Sequence, residues 1–91
     1  MSDKKVTVTI TSRTISVHPD PVQPKKEQDK VKWECDTSAF AIDLAGQRIQ
    51  SRPEGSKHVG MSNTFSKVEK LKYTVSAPGA DPLDPEVDVQ P

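Results

Sequence analysis

An all-β sandwich is the fold class this sequence predicts, and three observations carry it. Apolar residues alternate with polar ones through most of the chain, turn-forming residues recur at roughly ten-residue spacing, and no stretch shows helical periodicity. With 91 residues the chain is expected to form one domain, residues 1–91. A domain near this length buries only somewhat over half of its unfolded surface, so its core must be thin.

The elements follow in order. Val6, Val8 and Ile10 alternate with Thr7, Thr9 and Thr11, and β-branched threonine suits the solvated face of a pleated sheet. Ser12-Arg13-Thr14 interrupts, and Ile15 and Val17 resume the pattern. His18-Pro19-Asp20-Pro21 ends it, because two prolines remove two backbone donors. Val22 to Lys26 reads as a short edge strand, since Pro24 is tolerated only at an edge.

Val31, Trp33 and Cys35 alternate with Lys30, Lys32, Glu34 and Asp36, a heavy inner face against a charged outer one. Trp33 is the expected central core aromatic. Asp36-Thr37-Ser38 has turn chemistry. Phe40, Ile42 and Leu44 come next, but Ala39, Ala41 and Ala45 leave the other face dry as well, which predicts a central or covered strand. Gly46-Gln47 closes it and Ile49 starts a short return. Ser51 to Phe65 reads as irregular, broken by Pro53, Gly55, Gly60 and Asn63. Leu71, Tyr73 and Val75 form a further strand, and after the Ala77-Pro82 loop Val87 and Val89 form the last. The expectation is six or seven strands with Phe65 and Leu71 completing the inward set.

Composition narrows the function. Thirteen basic and 13 acidic side chains give zero net charge, so no global field draws the chain to nucleic acid or to an anionic membrane. Lys25, Lys26, Lys30 and Lys32 form the densest basic run, but Glu27, Asp29 and Glu34 interrupt it. No apolar run approaches the ~20 residues of a membrane span. Met1 to Lys5 leads straight into a strand pattern without a secretory apolar region, which predicts a cytoplasmic protein.

A single cysteine excludes an internal disulfide and any Cys-rich zinc module. Catalytic signatures are missing too: there is no nucleophile elbow, Gly-rich phosphate cradle or His-x-x-x-His spacing. The acids Asp81, Asp84, Glu86 and Asp88 lack a Gly-centred calcium loop and read as a solvated edge. Soft metal ligands are limited to Cys35, His18, His58, Met1 and Met61. Cys35 in phase with Trp33 reads as a small buried hydrophobe, whereas His58-Val59-Gly60-Met61 offers two ligands that do not define a geometry.

The segment Val17-His18-Pro19-Asp20-Pro21-Val22, the Val31-Lys32-Trp33 and Phe40-Ala41-Ile42 strands, and Lys72-Tyr73-Thr74-Val75 together resemble a cupredoxin-like Greek-key sandwich. The ending Leu83-Asp84-Pro85-Glu86-Val87-Asp88-Val89 resembles the last strand of small bacterial cupredoxin-like proteins without copper. An immunoglobulin-like sandwich is the alternative. The resemblance implies where copper ligands would stand. Ala39-Phe40 occupies the place of a His, Val75 that of the Cys, and Ala77-Pro78-Gly79-Ala80 has neither His nor Met. A type 1 copper centre is therefore not expected, nor is any other cofactor.

The functional expectation is a non-catalytic protein-binding module, monomeric or weakly oligomeric. In copper members the loop end carries an apolar patch that docks partners, so Pro78 and Leu83, with or without an edge of Phe40, are the expected rim of a binding site. Against this, the inward phase of Phe40 with Ile42 argues that Phe40 plugs the vacant ligand place as core. The alternative function is weak metal binding or redox chemistry through Cys35 or the His58/Met61 loop.

Overall fold

A computed structural model describes residues 3–91 and shows nine strands in two packed sheets. These are β1 (Asp3–Thr11), β2 (Thr14–His18), β3 (Lys30–Cys35), β4 (Ala41–Leu44), β5 (Gln47–Gln50), β6 (Arg52–Glu54), β7 (Lys57–Met61), β8 (Lys70–Ser76) and β9 (Glu86–Asp88). One sheet has the order β2-β1-β3-β7-β6, the other β5-β4-β8-β9. All neighbours are antiparallel except β1 and β3, which run parallel.

The alternation places the core as expected. Val6, Val8, Val31, Trp33 and Cys35 from the first sheet meet Ile42, Leu44, Tyr73, Val75 and Val87 from the second and Val89 just past β9, all buried. Trp33 is fully buried, its ring centroid 5.3 Å from that of Tyr73 in an edge-on arrangement at 60°. Such contacts suit the aromatic quadrupoles. Ala41 is buried alongside Ile42, in keeping with the position of β4 inside its sheet.

Several expectations need correction. The stretch from Ser51 to Phe65 is irregular only from Ser62 on: before that β6 and β7 form a hairpin, turning at Gly55 with φ +64°. Val22 to Lys26 forms no edge strand of its own. Val22 and Lys25 instead make single parallel bridges to Val87 and Gln90, with Val22 N–H on the Glu86 carbonyl at 3.2 Å and Gln90 N–H on that of Pro24 at 2.8 Å. Val22, Pro24 and Pro85 join the fully buried side chains, while Ile10, Val17, Phe65 and Leu71 are only partly buried at the core margin.

The chain from β2 to Lys25 thus crosses from one sheet to the other and covers the outer edge of β9. That covering, rather than the charge of Glu86 and Asp88, closes this edge. The two acids lie opposite Lys72 and Lys70 on β8, where opposite charges favour the register. Buried Asp29 holds the following turn, its carboxylate accepting the Lys25 N–H at 2.9 Å.

Candidate functional site

Strand β5 is the free edge of the four-stranded sheet and leads through Ser51 alone into β6 of the other sheet. Ala45 and Gly46, both with positive φ, make the two-residue turn that brings it back along β4. Ser51 N–H donates to the Phe40 carbonyl at 3.0 Å, and Phe40 N–H donates to Ser51 Oγ at 2.9 Å. In an antiparallel ladder bonded pairs alternate with unbonded ones. The Ser51–Phe40 bond therefore assigns Gln47 and Ile49 to β4 and turns the N–H and C=O groups of Arg48 and Gln50 towards the open edge. Among the described residues no strand pairs with β5 on that side.

Two surface depressions flank this edge and share Arg48 and Gln50. One is a groove of about 770 Å³ between the margins of the two sheets, bounded by β5, β6, the end of β7 and Lys32. The other, about 330 Å³, lies over the outer face at Ala41, walled by Ala39, Ser76, Ala77 and Pro78. Phe40 lines the second from a buried position, only 2% exposed, and with Ile49 it packs against Gly60 in the wall of the groove, where a Cβ would make ordinary contacts of 3.5 Å and 3.4 Å with the two side chains.

Phe40 and Pro78 line the same depression, Phe40 from a buried position and Pro78 from an exposed one. Leu83 does not belong to it. Its backbone exchanges two hydrogen bonds with Val75, at 2.8 and 3.0 Å, and its half-buried side chain packs on the core. Arg48 and Gln50 escaped the sequence reading; the one signal for them is their polar alternation with Ile49 in a short strand after a turn.

The outer face beside the groove carries a charged hub. Glu34 on β3 receives Lys5 at 3.1 Å, Lys57 at 3.2 Å and Lys32 at 3.5 Å. Burial works to raise its pKa, but the hydrogen bonds and charges of Lys5 and Lys57 together outweigh burial and hold the carboxyl below its ordinary value. Three ammonium groups on one carboxylate leave the face cationic.

In the core, Trp33 Nε1 and Tyr73 Oη are buried without a hydrogen-bond partner among the described residues. Burial pushes the Tyr73 phenol up to about 12; the nearby Trp33 indole opposes this and the Asp20 charge adds to it. The two groups approach one another without reaching hydrogen-bond geometry.

The soft ligands distribute differently. Cys35 is buried, its Sγ 3.6 Å from Thr37 Oγ1, and His58 stands opposite it across β3 and β7. Met61 lies three residues after His58, so it is on the other face of β7, in register with Lys32. His18 is exposed on β2, and Met1 lies outside the described residues. Among the described residues no three His, Cys, Asp or Glu side chains converge. The four C-terminal acids also separate: Asp81 pairs with Arg13 at 3.8 Å and Asp84 accepts the Thr74 hydroxyl at 2.8 Å.

No protein-family model matches the chain, and no curated protein matches it either.

Proposed function

We propose that this protein is a non-catalytic binding module, a metal-free cupredoxin-like Greek-key sandwich that takes an extended segment of another protein onto the free edge of β5. One observation carries the reading. The two residues that present unpaired backbone groups at that edge, Arg48 and Gln50, also line both flanking depressions. An added strand gains affinity from main-chain hydrogen bonds and specificity from pockets for its alternate side chains, and β5 offers both together.

The other edges offer less. β6 is three exposed residues with Pro53 at its centre, and β9 is covered by Val22 and Lys25. β2 ends at His18, with Pro19 directly after it, and none of its residues lines either depression. The cupredoxin-like part of the proposal draws on the ordering of the strands and on Phe40 and Val75, which stand as buried apolar residues where the resemblance places copper ligands.

The test is selection from a displayed library of random decapeptides, run in parallel on the wild type and on Gln50→Pro. Proline at this position removes an edge-facing donor and leaves the bonds to β4 in place. Enrichment of common sequences by the wild type and their loss with Gln50→Pro is the expected result. Recovery of the same sequences by both proteins, or no enrichment by the wild type, would reject β5 as the binding edge.

A further inference from the structure

The two depressions beside β5 differ in chemistry, and the difference describes what lies on the edge. In the groove, Lys32, Arg48 and Arg52 stand against one acid, Glu54. Arg48 has Asp43 at 3.8 Å as a partner, but Lys32 shares Glu34 with two other lysines. Arg52 forms no ion pair among the described residues. The groove therefore has cationic charge that its own carboxylates do not balance. The second depression has an alanine and proline lining, at Ala39, Ala41, Ala77 and Pro78, with Phe40 and Ser76 beside them.

Successive residues of a strand point to opposite faces of a sheet. A segment paired with β5 would thus send every second side chain into the cationic groove and the others over the alanine-lined face. We infer that the occupant is an extended acidic peptide in which Asp or Glu alternates with apolar residues. This inference rests on the edge-strand reading above and adds the chemistry of the partner. A second copy of this chain is the less suitable occupant. Its own acidic strand, β9, is already covered at its edge by Val22 and Lys25, and its Glu86 and Asp88 face Lys72 and Lys70.

Complementary charge across a surface interface acts over a Debye length and weakens with added salt. The experiment is a titration of the ¹⁵N-labelled full chain, followed by NMR, with three end-capped decapeptides: alternating Val-Glu, Val-Thr and Val-Lys. The Val-Glu peptide should shift the amides of Arg48 to Arg52 and bind about fivefold or more tighter than Val-Thr at low salt, with Val-Lys weakest. Raising salt to about 0.3 M should erase most of that advantage. Arg52→Glu, at an exposed position, leaves two bases against two acids in the groove and should erase the difference between Val-Glu and Val-Lys.

Equal binding of the three peptides at β5 would overturn the acidic preference and leave the edge-strand reading standing. Absence of shifts at β5 with every peptide would overturn the edge-strand reading itself. Shifts at β5 that grow with protein concentration alone would make a second copy the occupant and overturn the inference.

Discussion

The four-stranded sheet is bounded in opposite ways at its two sides. At β9 the chain closes its own edge, with Val22 and Lys25 bridging Val87 and Gln90 and with Val22, Pro24, Pro85, Val87 and Val89 buried beneath. At β5 there is no such cover among the described residues, and the edge residues Arg48 and Gln50 are exposed between two depressions. Exposed edges invite pairing with other chains, so proteins ordinarily cover, shorten or charge them. Here one edge is covered and the other is only short and cationic. The first serves stability; the second is the edge proposed above to take a partner of opposite charge.

This contrast makes graded predictions. Truncation after Pro82 removes β9 and with it the buried Pro85, Val87 and Val89. The shortened chain should lose its cooperative thermal transition; a native near-ultraviolet spectrum would show that the covered edge is dispensable.

A smaller loss is expected from Val22→Ala, which trims the cover without removing the strand. Val22 is 1% exposed, and deleting its two methyl groups should cost about 1–3 kcal/mol in a urea titration. An unchanged midpoint would mean that the bridging segment is not packed.

Tyr73→Phe probes the core that both edges enclose. Its phenol is neutral and buried, with a pKa raised from its ordinary 10 to about 12. A raised folded-state value means stability that is complete below pH 10 and is lost as pH climbs from 10 towards 12. The variant should lose that part of the alkaline decline. Because the hydroxyl has no partner, its removal should change stability at neutral pH by less than about 1 kcal/mol. Melting temperatures of both proteins across this range give the answer.

The smallest effect belongs to the open edge. Gln50→Pro should shift stability by no more than about 1 kcal/mol, because its N–H faces outwards and proline is accepted at edges. A loss as large as that of Val22→Ala would mean that β5 is bonded on its outer side after all.

How far the sequence revealed this depended on what each strand buries. Val31-Trp33-Cys35 and Leu71-Tyr73-Val75 announce themselves because one face meets the core and the other meets solvent. The β6–β7 hairpin stayed hidden for physical reasons. Arg52, Pro53 and Glu54 are all exposed, so they carry no alternation, and Gly60 marks the inward face of β7 by lacking a side chain. Val22, Pro24 and Pro85 were missed as core because prolines signalled interruption where they are packing. Phe40 and Pro78 were legible as neighbours through a family resemblance. Leu83 stands apart from them, bonded through its backbone to Val75 and outside the depression that Phe40 and Pro78 line. Arg48 and Gln50 depend on which edge of the sheet remains free, a property of the assembled strands that local pattern does not contain.

The bridge between Val22 and Val87 also bears on how the molecule comes to be folded. These partners are 65 positions apart (87 − 22), and the parallel pairing of β1 with β3 likewise joins segments that no hairpin connects. Closing such loops loses chain entropy before the contacts repay it, and domains ruled by non-local pairing fold slowly, in milliseconds to seconds. The hairpins β1–β2, β4–β5 and β6–β7 need only local turns and can precede it. A chain at that stage has both sides of its second sheet uncovered, so the interval before Val87 meets Val22 is the one in which this protein is most exposed to pairing with the wrong strand.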